Sequence, residues 1–243
     1  MPGLSRHQLK EDRVRSAFED YEAFAKEHYK EILSYFAIAV AIAAAVFGVK
    51  YVVAQADAAA NTKLGAALDT YHAYVGPASP ENPGVQSFAT DQEKYKKALQ
   101  EFREVDNVTG IEKLLPRNKP MRLAQYYAAL CSAQLGNEAG AVKELEELSH
   151  DSDASISSLA KFALAGEYVK TGKTQDAIKI YQGLSEHPTA TVPSVTARLA
   201  LAGIYRGTQP ALARQIYDQL GKEFQDDATL AGELKEQASS LPQ

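Results

Sequence analysis

Residues able to do chemistry are few in this 243-residue chain, and their spacing assembles none of the usual sites. The five histidines, His7, His28, His72, His150 and His187, are scattered; none lies four residues from another or beside Cys131 to make a metal set. Cys131 is the one cysteine, so it has no internal disulfide partner; within Ala128-Ala-Leu-Cys-Ser-Ala133 it reads as a small packing residue. Leu135-Gly-Asn-Glu-Ala-Gly140 lacks the Lys-Ser/Thr of a phosphate-cradling loop and reads as a turn between helices. Ser155, Ser157 and Ser158 stand in a polar linker without a Gly-x-Ser-x-Gly elbow. Glu144, Glu146 and Glu147 read as a solvated helix face. His150-Asp151 and His187-Pro188 read as helix ends, where the dipole favours a histidine. The expectation is a protein without catalytic residues, metal or cofactor. A net charge of −5 with no basic run also argues against a nucleic-acid partner.

The elements around these residues divide the chain. Ile32 to Val49 is an uncharged, apolar run of eighteen residues, which a helix rising about 1.5 Å per residue extends over roughly 27 Å. With Tyr51-Val-Val-Ala54 beyond a snorkelling Lys50, it reaches the length of a bilayer core. We read residues 1–31 as a cytoplasmic amphipathic tail, 32–54 as a transmembrane helix, and 57–243 as a periplasmic domain. A signal peptide cleaved at Ala54-Gln55-Ala56 and a buried core helix are the alternatives. The first is disfavoured by seven acids against six bases before the run, the second by the helix having no polar face. Arg13, Arg15, Lys26 and Lys30 precede the span, against Lys50 and Lys63 after it, which places the N-terminus inside. Two further patterns accompany the span. Val14, Phe18, Tyr21, Ala25, His28 and Ile32 form a stripe in the tail that suits a protein partner or merely extends the span. Ala37, Ala41 and Ala45, with Ala44 and Gly48, make a small-residue face on which a second copy or partner helix would pack, or which simply reflects an Ala-rich helix.

Beyond residue 57, Ala, Leu, Glu, Lys and Gln dominate and strand signals are scarce, which predicts an all-α domain. The helices repeat. An alanine followed by large or apolar residues four and seven positions on recurs as Ala98/Phe102/Val105, Ala141/Leu145/Leu148, Ala177/Tyr181/Leu184 and Ala213/Tyr217/Leu220. The alanines lie 43, 36 and 36 residues apart. Small alanines let paired helices approach while the larger residues seal each pair. Helices are expected at 57–75 and 90–105, separated by the Pro-rich loop Gly76–Gly84. Asn107–Pro120 reads as an insertion, and Thr229–Leu241, with Leu230, Leu234 and Leu241 on one stripe, as a cap on the open end.

This spacing resembles the tetratricopeptide repeat, a helix–turn–helix unit of about 34 residues, most closely over residues 120–222. The aromatic expected early in each first helix is replaced by Gln125, Lys161 and Arg198; the third turn, Arg206-Gly-Thr-Gln-Pro210, is a residue short. The order of parts, with Gly48-Val-Lys-Tyr51 closing the span and Ala56-Asp-Ala-Ala-Ala60 opening the first soluble helix, is similar to the YfgM-type family of membrane-anchored tetratricopeptide proteins. That resemblance implies an α-solenoid array in the periplasm of a bacterial inner-membrane protein, beside the Sec translocon. The partners it implies are translocon subunits, periplasmic chaperones or unfolded clients. The expected function is a non-catalytic scaffold or chaperone adaptor; the alternative is a structural assembly subunit of a cell-envelope complex. By the register of such arrays, first helices would line a protein-binding groove with Leu123, Tyr126, Leu130, Leu159, Phe162, Gly166, Val169, Leu199 and Arg206. The Lys/Asn carboxylate clamp of some members is missing. The groove is either open to an apolar ligand or filled by the chain's own 57–75 or C-terminal helix.

Overall fold

The structure is a computed structural model that describes residues 6–77, 86–107 and 118–242, with side chains described from Lys26 onward except at 27 and 32. Most of the Pro-rich loop and of the 107–120 insertion, and the side chains of Val14, Phe18, Tyr21, Ala25 and Ile32, lie outside the described residues. The chain forms two compact units, residues 1–56 and 57–243.

The long helix α1 spans Arg6–Tyr71, with one non-helical residue inside it, His28 (φ −108°, ψ 15°). Every residue from Leu33 to Tyr51 is exposed, Phe47 by 73%. An apolar stretch exposed on all sides is a core helix of nothing, so that alternative is set aside; by length and composition the helix can cross a membrane.

In residues 57–243 the end of α1 is followed by β1 (Tyr74–Val75), β2 (Ser87–Phe88) and helices α2 (Asp91–Asp106), α3 (Lys119–Gln134), α4 (Glu138–Ser149), α5 (Ala154–Lys170), α6 (Thr174–Glu186), α7 (Ser194–Thr208), α8 (Pro210–Glu223) and α9 (Ala228–Ser239). The all-α expectation holds apart from one clip. Tyr74 pairs with Ser87 and Val75 with Phe88 in parallel register, closing the ends of the Pro-rich loop. The helix expected to reach residue 75 therefore stops at Tyr71, because Tyr74 and Val75 suit an extended strand. Gly76 (φ 147°) leaves this clip against the Tyr74 ring, where a Cβ would clash.

Helices start and stop where local chemistry satisfies their end groups. Side-chain oxygens of Thr90, Asn118, Asn137, Asp153 and Asp227 accept from backbone N–H groups at the starts of α2, α3, α4, α5 and α9. The α3–α4 and α5–α6 turns pass through Gly136 (φ 84°) and Gly172 (φ 81°), left-handed positions that suit glycine. The α7–α8 turn has no such residue; Gln209 alone ends one helix and opens the next, with Pro210 first in α8.

From α2 to α9 each helix packs on its neighbours in the chain, and α3 also reaches α5. The repeated signature is what this packing buries: all twelve Ala/+4/+7 positions in α2, α4, α6 and α8 are buried. At the start of the domain, Ala60, Leu64 and Ala67 of α1 join Ala98 and Phe102 of α2 and Ala124 and Ala128 of α3 in one core. Tyr71 lies edge-on to Phe102 and Tyr127, which stack on each other at 5.3 Å. At the other end α9 packs on α8 through Leu234 and Ala238. Leu241, expected within that helix, follows its end yet is buried, and Arg214 holds the segment by donating to the carbonyls of Leu241 and Pro242.

Candidate protein-binding surface

The nine residues expected to line a groove fall on α3, α5 and α7, and they range from packed to exposed. Leu123, Tyr126, Leu130, Leu159, Phe162 and Gly166 are half-buried; Val169 (38%), Leu199 (37%) and Arg206 are exposed. Leu123 and Tyr126 pack against the core built from Ala129, Leu145 and Leu164. Tyr126 also meets the Tyr127 ring edge-on at 5.2 Å, and burial pushes its hydroxyl up to about 12, with the neighbouring Tyr127 and Tyr71 adding to the shift. Phe162 lies edge-on to Tyr181 at 5.2 Å, while the Tyr181 hydroxyl donates to the Phe162 carbonyl at 3.3 Å. Gly166 faces the same hydroxyl, 3.7 Å from where a Cβ would stand. Phe162 thus helps hold α5 on α6, and Tyr126 packs α3 into its core. Val169, Leu199 and Arg206 are the positions that remain open, although the Arg206 guanidinium donates to Gln237 of α9 at 3.3 Å.

Two of these positions touch the chain's own terminal helices: Leu123 packs against the core that holds Ala60, Leu64 and Ala67 of α1, and Arg206 reaches α9. The α1 segment takes a place beside α2 and α3, and α9 lies mainly on α8. Arg103 pairs with Glu144 between α2 and α4, Arg122 with Asp151, and Gln125 donates to Asp106 at 2.9 Å. Lys173 sits over the Tyr168 ring at 4.9 Å, and the Tyr168 hydroxyl donates to Glu146 at 2.6 Å; that bond, with burial, raises Tyr168 to about 12.

Cys131 is fully buried, and burial pushes its thiol up to about 12, partly offset by Lys94, so it sits in the core as an inert thiol. Among the described residues no three His, Cys, Asp or Glu converge on a point where a metal would sit. His150 and His187 are the residues that close α4 and α6.

Two features arise from residues distant in the sequence. Tyr71, Tyr95 and Tyr127 form an aromatic cluster linking α1, α2 and α3; the Tyr-Tyr pair at 126–127 was its visible trace. The second is a recess beside Lys161 and Lys179, for which the only signal was a lysine where an aromatic was expected.

No family model, curated protein or solved structure matches this chain.

Proposed function

We propose that the chain is a non-catalytic, membrane-anchored scaffold whose paired helices form a tetratricopeptide-like array that binds proteins. The observation that carries this reading is the contrast between helix faces. The recurring Ala/+4/+7 positions of α2, α4, α6 and α8 are buried without exception, whereas apolar residues of α5 and α7 such as Val169 and Leu199 stay exposed. A helix pair that spends one face on its own core and leaves apolar side chains on the other suits an extended apolar segment or a partner's helix. The Lys/Arg excess before the span supports a cytoplasmic N-terminus and a periplasmic domain. Similarity of layout to the YfgM-type family adds the Sec translocon, periplasmic chaperones and newly translocated chains as partners for this proposal.

The test uses the exposed positions. Tyr126 and Phe162 are half-buried, and a carboxylate there would disturb packing as well as binding. Val169→Glu combined with Leu199→Glu changes the surface and leaves the core alone. In native membranes carrying the double variant, crosslinking to unfolded clients should fall at least tenfold, with helical content unchanged by circular dichroism. Unchanged crosslinking by a folded double variant would defeat the proposed surface.

A further inference from the structure

The helix pairs enclose recesses at equivalent places, and their charge differs. Aligning the buried alanines Ala98, Ala141 and Ala177 sets Asp106 level with Ser149, Glu144 with Ile180, and Glu147 with Gly183. The first recess, about 460 Å³ between α2, α3 and α4, is lined by Asp106, Glu144 and Glu147 as well as Arg103, Arg122 and Lys143. There Arg103 pairs with Glu144, and Arg122 with Asp151 beside the recess. The second, about 620 Å³ between α5, α6 and the end of α4, contains no Asp or Glu among its lining residues. There Ser149, Ile180 and Gly183 stand in place of the three acids, Lys179 matches Lys143, and Lys161 stands where the first recess has Gln125.

The same substitution recurs at the helix ends. Asp151, His187 and Glu223 are equivalent by the alanines Ala141, Ala177 and Ala213. Asp151 pairs with Arg122, and Glu223 accepts from Arg198 at 2.5 Å. In the middle pair a histidine occupies that place and lines the recess with His150. Lys179 lies 3.5 Å from Asp176 on its own helix, an exposed pair of small energetic weight. Lys161 has no carboxylate partner among the described residues, unlike Arg198 at the matching first-helix position.

We infer that this recess binds a single acyl chain ending in a carboxylate, its head between Lys161 and Lys179 and its chain along Leu164, Ile180 and Leu184. The lysines give a charge that nothing in the lining offsets, and the leucine–isoleucine wall gives apolar area to cover. An acyl chain fits better than a peptide because the nearby hydroxyls are already engaged. The Ser157 hydroxyl donates to the Ser149 carbonyl at 2.6 Å, and that of Ser158 bonds with those of Thr189 and Thr191 at 2.8 and 3.0 Å. A peptide's amides would find few partners there, and an acyl chain has none to satisfy. The recess uses residues other than the exposed Val169 and Leu199, so its occupancy is independent of the proposed protein-binding surface.

The experiment titrates sodium octanoate by calorimetry into the full chain in lipid nanodiscs, with empty nanodiscs as the blank and acetate and octanol as parallel probes. Octanoate should bind saturably above the blank, and acetate and octanol at least tenfold more weakly, because each lacks one half of the ligand. Lys161→Met with Lys179→Met should weaken octanoate at least tenfold. Gly183→Glu restores the acid that its counterpart Glu147 supplies; nothing lies within 4 Å of the Cβ it adds, so the variant should fold. It too should lose at least tenfold in octanoate affinity while keeping its melting transition. The inference is overturned if octanoate gives no saturable heat above the blank, if acetate or octanol binds as tightly, or if folded Gly183→Glu binds octanoate as the parent does.

Discussion

Ala177 and Tyr181 show how single residues set the contact between helices. Ala177 is fully buried where α6 meets its neighbours, and one turn later Tyr181 fills the space beside Phe162 and Gly166. Ala177→Leu adds volume where no space exists and should cost ~1–3 kcal/mol. Tyr181→Ala leaves a cavity and removes the donor to the Phe162 carbonyl, with an expected loss of ~3–5 kcal/mol by analogy with other buried aromatics. Denaturant unfolding of the full chain in nanodiscs checks both, and near-neutral values would mean these residues do not set the register. Asp153 works differently. Backbone N–H groups of Ile156 and Ser155 donate to its carboxylate, with Lys119 nearby, and they hold it below the usual aspartate range. A lowered folded value means stability that is present above the unfolded value and is lost as pH falls through the folded one. Asp153→Asn keeps an acceptor without the charge, so its stability should depend less on pH below about 4 than the parent's. Parallel acid limbs in a pH series of melting temperatures would contradict this.

At the scale of elements, the turns decide how closely paired helices follow one another. Gly136 and Gly172 take left-handed backbone at the ends of α3 and α5, whereas α7 reaches α8 through Gln209 alone. A Cβ at Gly172 meets no neighbouring atom, so Gly172→Ala isolates the backbone effect. It should destabilise by ~1–2 kcal/mol, the strain of an L-residue in that region. A smaller loss in urea melts would show that the turn relaxes to another geometry. The strand clip belongs to this scale too. Two residues on each side bring the ends of the Pro-rich loop together.

For the whole molecule, the exposed apolar stretch of α1 and the acidic helical domain demand different solvents. Protease added to intact spheroplasts should remove residues 57–243 and leave a small protected N-terminal fragment. A domain that resists until the membrane is permeabilised would put it on the cytoplasmic side and reverse the proposed topology. On the proposed reading, anchoring would also bear on function, since a tethered domain would meet partners near the membrane at raised effective concentration. A scaffold that works by transient capture gains from this without needing tight intrinsic affinity.

Some of this was decided by local chemistry that needs no tertiary context. The apolar run at 32–49 carries no charge and is long enough for a bilayer core, a property of composition and length alone. Helix ends at Asn118, Asn137 and Asp153 follow from side chains that reach their own backbone. The Ala/+4/+7 rhythm marked the buried faces because spacing along a helix translates directly into a face. Other features were decided only by packing. Tyr74-Val75 becomes a strand because Ser87-Phe88 returns beside it. Tyr126 and Phe162 belong half to the core, because neighbouring helices bring Tyr127 and Tyr181 against them. Lys161 reads on its own as one more surface charge. It becomes the rim of an uncompensated recess only because α4 and α6 bring Ser149, Ile180 and Gly183 where the preceding pair has carboxylates. Charge balance depends on distance across helices, and sequence spacing within one helix does not encode it.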